Sequence, residues 1–353
     1  MNSGERPGEV RRIQITGRGS YIVSLPKKWV MDRNLNRGEQ VVFSTECDGS
    51  LRIAPRTALS KAEPKGATIV VSSGPNYEPL TRRIIALYLT GLNFIKLKTT
   101  KERFEPTTSE YVRDLVRKKL VGTEVVIESP NEIALQVLVS YPELSVENAL
   151  RRMVMITLSM LRDAISALIQ RNSSLVDEVL RMDDEVDRFS FYVVRQLKTA
   201  AQDTSVISQI GLGSGRDIIG YRLVTKSVER AADHAVKIAK NTLLIKQPLS
   251  RRLLERIATL GEFAAKVFED AMLSLYRRSY TAAENVLERM DQLETSERET
   301  IMEISRQRIE PVEMTALRML LESIRRIGEY GSDVAEVVLN LTAFETPKPR
   351  GSQ

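Results

Sequence analysis

The sequence predicts a multidomain chain: a small all-β module with one short helix, then a small α+β middle domain, then a mainly α part built as tandem three-helix bundles. Three observations predict it. Apolar residues alternate with period two in short runs before residue 56, and strand-like and helix-like runs alternate over residues 67–143. From residue 144 onward apolar residues recur at i, i+3, i+4 and i+7. At 353 residues the chain also exceeds one ordinary core. The boundaries read 1–56, a polar linker 57–66, 67–143, 144–245, 246–342 and a tail 343–353.

In the first module, "VRRIQ" (10–14) and "SYIVSL" (20–25) read as strands joined at Gly17 and Gly19. Pro26 suits the first turn of a helix "PKKWVMDRN", with Ser24 as a cap and an end near Asn34. "NRGEQVVFSTE" and "SLRIAPR" supply further strands, so that the module is expected to hold five strands and one helix in about 45 residues. Such a module cannot bury a full core alone and calls for a partner or a second copy. Trp29, the only tryptophan, reads as part of that small core.

The middle domain reads as strands "ATIVVSS", "NFIKLKT", "TEVVIES" and "EIALQVLVS" with helices "EPLTRRIIALYLTG" and "TTSEYVRDLVRKKL". Thr108 or Ser109 is the expected cap of the second helix. Helices are then predicted over 144–171, 175–200, 217–245, 249–279, 281–307 and 312–342. "VLRMDDEVDR" (179–188) is echoed by "VLERMDQLETSER" (286–298), and "VERAADHAVKIAKN" (228–241) by "IRRIGEYGSDVAEVV" (324–338). The echoes keep their order, so the six helices divide into two three-helix units.

Composition narrows the chemistry. Cys47 and His234 are the only cysteine and histidine, so an internal disulfide, a Cys/His zinc site and histidine-based triads are not expected. No apolar run approaches the roughly 18–20 residues of a spanning helix, and the N-terminus lacks a signal-peptide core, which points to the cytoplasm. The excess positive charge is local. Residues 1–66 hold 12 basic against 7 acidic side chains, and residues 144–353 hold 30 of each. A basic module suggests an anionic partner for that module, or simply a solubilising surface.

Asp183, Asp184 and Asp187 crowd one turn, and Glu229 and Asp233 are four apart on the next helix, which places that pair on one face. If the two helices face each other the carboxylates form a ligand set for a hard cation. Otherwise they are an acidic face paired with Arg188, Arg230 and Lys237. The second unit keeps Asp291 and Glu329 but has Gln292, Thr295 and Arg325 where acids stood, while Glu329 and Asp333 form a pair one turn later. "GLGSGRD" (211–217) lacks the strand and the Lys-Ser/Thr of a nucleotide loop and reads as a connection. His234 is either a ligand or a packed side chain.

"RMDDEVDR" and "VERAADHAVKIAKN" resemble the paired acidic signatures of the PhoU family over residues 144–342. That resemblance implies a duplicated three-helix bundle, with Asp183, Asp187, Glu229 and Asp233 as ligands of iron or another divalent or trivalent metal. It implies a role in phosphate homeostasis, with the phosphate transporter's ATPase or a sensor kinase as partner. Arg18-Gly19, Ile22, Leu25-Pro26-Lys27 and Gly38-Glu39-Gln40-Val41 resemble the AbrB/MazE/SpoVT swapped-hairpin DNA-binding fold, in an archaeal style of combination. This second resemblance implies a homodimer that contacts DNA through Arg11, Arg12, Arg18, Lys27, Lys28 and Arg33. The expectation is a DNA-binding regulator of phosphate uptake with a metal-binding helical sensor. The alternative is a regulator that contacts the transporter or kinase and uses the first module only to dimerise. An enzyme is not expected, because no nucleophile or general base is placed for hydrolysis.

Overall fold

The structure is a computed structural model that describes residues 9–17, 19–45, 49–56, 66–71, 76–139 and 144–343. The chain divides into two compact units, residues 1–63 and 64–353.

In the first unit β1 (Gln14–Thr16) and β2 (Ser20–Ile22) pair antiparallel with Ile15 opposite Tyr21. Gly17 and Gly19 turn the chain between them at φ 55° and 118°, conformations that side chains disfavour. Helix α1 (Lys27–Asp32) starts from Pro26, whose carbonyl accepts the N–H of Val30. Pro26 is therefore the cap itself, and Ser24 makes no capping bond. The chain leaves α1 through Asn34 at φ 52°, close to the expected end. Strands β3 (Val41–Thr45) and β4 (Leu51–Pro55) form a second hairpin with Phe43 opposite Ile53. The described residues thus hold four strands against five expected, one for each run named above, the first lying at residues 14–16 with residues 10–13 outside either hairpin. Among the described residues of this unit Pro55 alone is fully buried. Trp29 is half-buried with the Arg33 guanidinium 5.5 Å from its ring centre.

The second unit begins with a four-stranded sheet in the order β5-β6-β8-β7. β5 (Gly66–Val71) runs parallel to β6 (Phe94–Thr99), while β8 (Glu132–Val137) is antiparallel to β6 and to β7 (Thr123–Glu128). Along β6 the pleat sends Ile95 and Leu97 into the core and Lys96 and Lys98 outward to Glu132. Helices α2 (Glu78–Leu89) and α3 (Pro106–Lys119) supply Ile84, Tyr88, Val112, Leu115 and Val116 to the same core. Helix α3 has Pro106 in its first turn and Glu105 as cap, so neither Thr108 nor Ser109 caps it. Pro lacks an N–H to be capped and presets φ at that position. Thr108 instead meets the Tyr77 hydroxyl at 3.2 Å.

The helical part follows: α4 (Val146–Gln170), α5 (Ser173–Gln202), the single turn α6 (Val206–Gln209), α7 (Gly215–Thr242), α8 (Arg251–Arg277), α9 (Tyr280–Leu287), α10 (Met290–Ser305) and α11 (Pro311–Thr342). Helices α4, α5 and α7 form one three-helix unit, and α8, α9–α10 and α11 the other, with α7 and α11 packed together as the seam. The two units repeat each other in their turns as well. Arg171 ends α4 at φ 54° and is followed by the cap Asn172; Arg278 ends α8 at φ 48° and is followed by the cap Ser279. One helix expected over 281–307 is broken at residues 288–289. There the Arg289 N–H bonds Val286 three residues back, and its guanidinium is drawn to Asp270 at 2.6 Å.

"GLGSGRD" closes on itself as a helix cap. The Asp217 carboxylate accepts the N–H groups of Gly213 and Ser214 at 3.0 and 3.1 Å, so its own side chain fills the cradle that a phosphate would need. By length and composition α4 could cross a membrane, which the short apolar runs did not foreshadow; its apolar stripe lies in the bundle core.

Candidate functional site

Helices α5 and α7 bury their apolar stripes together, and the periodicity that places Val179 and Val186 inside leaves Asp183, Asp184 and Asp187 along the edge of the contact. On α7 the same arithmetic buries Val228, Ala231 and Ala232 and sets Glu229 and Asp233 half-buried beside them. Asp183 feels the charges of Asp187 and Asp233, and Asp233 those of Glu229 and Asp187. Burial raises the Asp183 pKa to about 6, and the charges of Asp187 and Asp233 add to the effect, while Lys119 opposes it. Burial also raises Asp233, followed by the charges of Glu229 and Asp187.

A cation from outside the bundle meets this cluster. Lys119, the last residue of α3, places Nζ 2.7 Å from Asp184 Oδ1 and 3.0 Å from Asp187 Oδ2. Burial works against that ammonium, but its two carboxylate partners outweigh the penalty and hold its pKa above the usual lysine value. Glu229 is paired in turn with Lys226. Sequence reasoning missed Lys119, because it lies 65 residues from Asp184 on a helix of another layer. As chemistry, the oxygen donors suit a hard cation. As geometry, no group of three or more acidic, histidine or cysteine side chains among the described residues stands ready to hold a metal ion.

The equivalent place in the second unit is an ion-pair network. Arg325, at the position of Glu229, reaches Glu297 at 2.9 Å and also contacts Glu329, which Arg326 contacts too. Glu297 gives no spacing signal in sequence, since its partner lies on the following helix. Asp333, four residues on from Glu329, is exposed. His234 turns to the second unit: its Nε2 is 3.5 Å from the Tyr330 hydroxyl, and burial lowers its pKa to about 4. Arg326 donates to the same hydroxyl at 3.2 Å.

In the first unit Arg11, Arg12, Lys27, Lys28 and Arg33 are exposed, Arg11 beside Glu9. Arg18 lies outside the described residues.

The raised Asp183 has a consequence for stability. A carboxyl whose folded pKa lies above its unfolded value of 3.8 binds its proton more tightly when folded. Its contribution therefore favours folding below about pH 4 and is lost as pH rises through about 6. In chelator-treated protein Asp183→Asn is expected to raise stability at pH 7.5 by about 1 kcal/mol, a figure reduced for the partial exposure of the group. The gain should vanish by pH 4, as chemical denaturation at several pH values would show.

The PhoU domain family matches residues 150–242 and again 257–338, which are the two helical units. A phosphate-specific transport system accessory protein PhoU homolog of Xylella fastidiosa is 20% identical over 202 residues, 56% of this chain and 82% of that protein. A PhoU homolog with the same description from Aquifex aeolicus is 25% identical over 129 residues, 36% of this chain and 56% of that one. The crystal structure of the phosphate transport system regulatory protein PhoU from Streptococcus pneumoniae aligns with a TM-score of 0.50 at 16% identity, covering 57% of this chain and 96% of that chain. That likeness shows the fold of the helical part.

Proposed function

Because its two helical units, residues 150–242 and 257–338, belong to the PhoU family, we propose that this chain is an accessory regulator of a phosphate transport system that works as a dimer. The tandem family match carries this reading, supported by relatives described as accessory proteins of phosphate-specific transport. The helical part would contact the transporter's ATPase or a sensor kinase, and the N-terminal module would pair two copies. Co-expression with the ATPase subunit of a phosphate transporter from the same genome tests it. Co-elution of the two proteins in size exclusion is the expected result, and separate elution at micromolar concentration would overturn it.

A second reading adds DNA as a partner of the N-terminal module. The exposure of Arg11, Arg12, Lys27, Lys28 and Arg33 on a module with 12 basic against 7 acidic residues favours it. If Lys27 and Lys28 contact phosphates, the double change to Ala should weaken binding to the chain's own upstream DNA on every sequence alike. The slope of log K against log salt should fall by about 2. Fluorescence anisotropy between 50 and 200 mM salt measures both, and an unchanged slope removes these lysines from the interface.

A further inference from the structure

We infer that Lys119 is the resident cation of the first carboxylate cluster and Arg325 that of the second, so that each acidic centre is closed by a side chain of this chain instead of a free metal ion. The two centres arrive at the same solution from different directions. In the second unit the cation stands on α11, at the position of Glu229, between Glu297 and Glu329. In the first three-helix unit α7 keeps its acid, and the cation is brought in from α3 to bond Asp184 and Asp187. Both are charge-assisted bonds within one folded unit, and a tethered partner acts at a high effective concentration that a dissolved ion has to match.

Lys119 also ends a helix, which makes its bond a latch as well as a counter-charge. The last turn of α3 is held against α5 by the same ammonium that offsets the charge of Asp184 and Asp187. A multivalent cation entering between Asp183, Asp187, Glu229 and Asp233 competes with that ammonium for the Asp187 carboxylate. Cation binding and the docking of α3 on α5 are therefore opposed, and the occupancy of one lowers that of the other. This inference goes beyond the phosphate role, and its test does not depend on that role.

Chelator-treated wild type, Lys119→Gln and Lys119→Arg would be titrated with Mn2+, with free ion followed by electron paramagnetic resonance. Lys119→Gln is expected to bind Mn2+ at least about tenfold more tightly than wild type, with Lys119→Arg restoring the weak binding. Adding Asp187→Asn to Lys119→Gln should cancel the gain. Hydrogen exchange on wild type supplies a readout that needs no variant to fold: the last turn of α3 should lose protection as Mn2+ saturates the protein. Equal affinity of wild type and Lys119→Gln would overturn the inference. So would Mn2+ binding by wild type at micromolar concentration with the exchange of α3 unchanged.

Discussion

Replacing Ile15 and Phe43 together by Asp is expected to turn a dimer into a monomer. The two residues lie on separate hairpins of the N-terminal unit and are 66% and 54% exposed. They have company: Val10, Ile13, Tyr21, Met31 and Leu51 are all more than half exposed in the same short stretch. Among the described residues of this unit Pro55 alone is buried, so its described strands and helix form no core of their own. Apolar surface on this scale is covered in solution, and a second copy carries the same complement of it. Burying one large apolar side chain contributes about 1.5–3 kcal/mol. Losing two contacts and placing charges in the interface should weaken the dimer by at least about 4 kcal/mol, a factor of about a thousand. Sedimentation equilibrium reads this directly. A wild-type chain that remains monomeric at tens of micromolar would refute the pairing, and a double variant that stays dimeric would move the interface elsewhere.

What sequence could and could not foretell divides along the range of the interactions. The tandem helical units were legible because a helix advertises its buried face by its own period, as Val179, Val186 and Phe189 do on α5. The same arithmetic applied to α5 and α7 sets Asp183, Asp187, Glu229 and Asp233 half-buried beside the packed stripe of their helices. Lys119 was not legible, since nothing in the spacing of α3 says which bundle face its last residue will meet. The break at residues 288–289 was hidden for a similar reason: it lacks Gly and Pro, and Arg289 is drawn aside by Asp270 on another helix. At α3 the expectation failed locally, where Pro106 made a hydroxyl cap unnecessary. In the first module the alternation at residues 10–13 was real but no strand of the chain pairs with it among the described residues.

Arg195→Met should be the most damaging single substitution in the second unit, although no motif marks the position. Arg195 is 3% exposed on α5 and lies where the sheet layer meets the bundle. Its guanidinium donates to the carbonyls of Tyr88 at 2.6 Å, Leu92 at 2.8 Å and Gly91 at 3.2 Å, and to Asn93 Oδ1 at 2.6 Å. Tyr88 stands in the last turn of α2, where the helix dipole favours a cation, and Gly91, Leu92 and Asn93 follow in the turn that leads to β6. The fit is close on both sides. Gly91 takes φ 88°, and a Cβ there would meet Thr199 Oγ1 at 2.7 Å, so α2 and α5 approach with no room for a side chain. Tyr88, fully buried, lies with its ring 4.9 Å from the guanidinium and its hydroxyl on the carbonyl of Val121. Methionine would keep much of the volume and lose all four bonds, leaving the half-buried carbonyls of Gly91 and Leu92 without the guanidinium, while the Tyr88 carbonyl keeps the Gly91 N–H at 3.1 Å. The expected cost is about 3–5 kcal/mol. It should appear unevenly, because the bundle core does not depend on Arg195. Hydrogen exchange is expected to rise first in α2 and β6 while α4, α8 and α11 keep their protection. Uniform loss of protection would mean that the sheet layer and the bundles unfold as one cooperative block, and unchanged protection of α2 would show that apolar packing alone holds the layer in place.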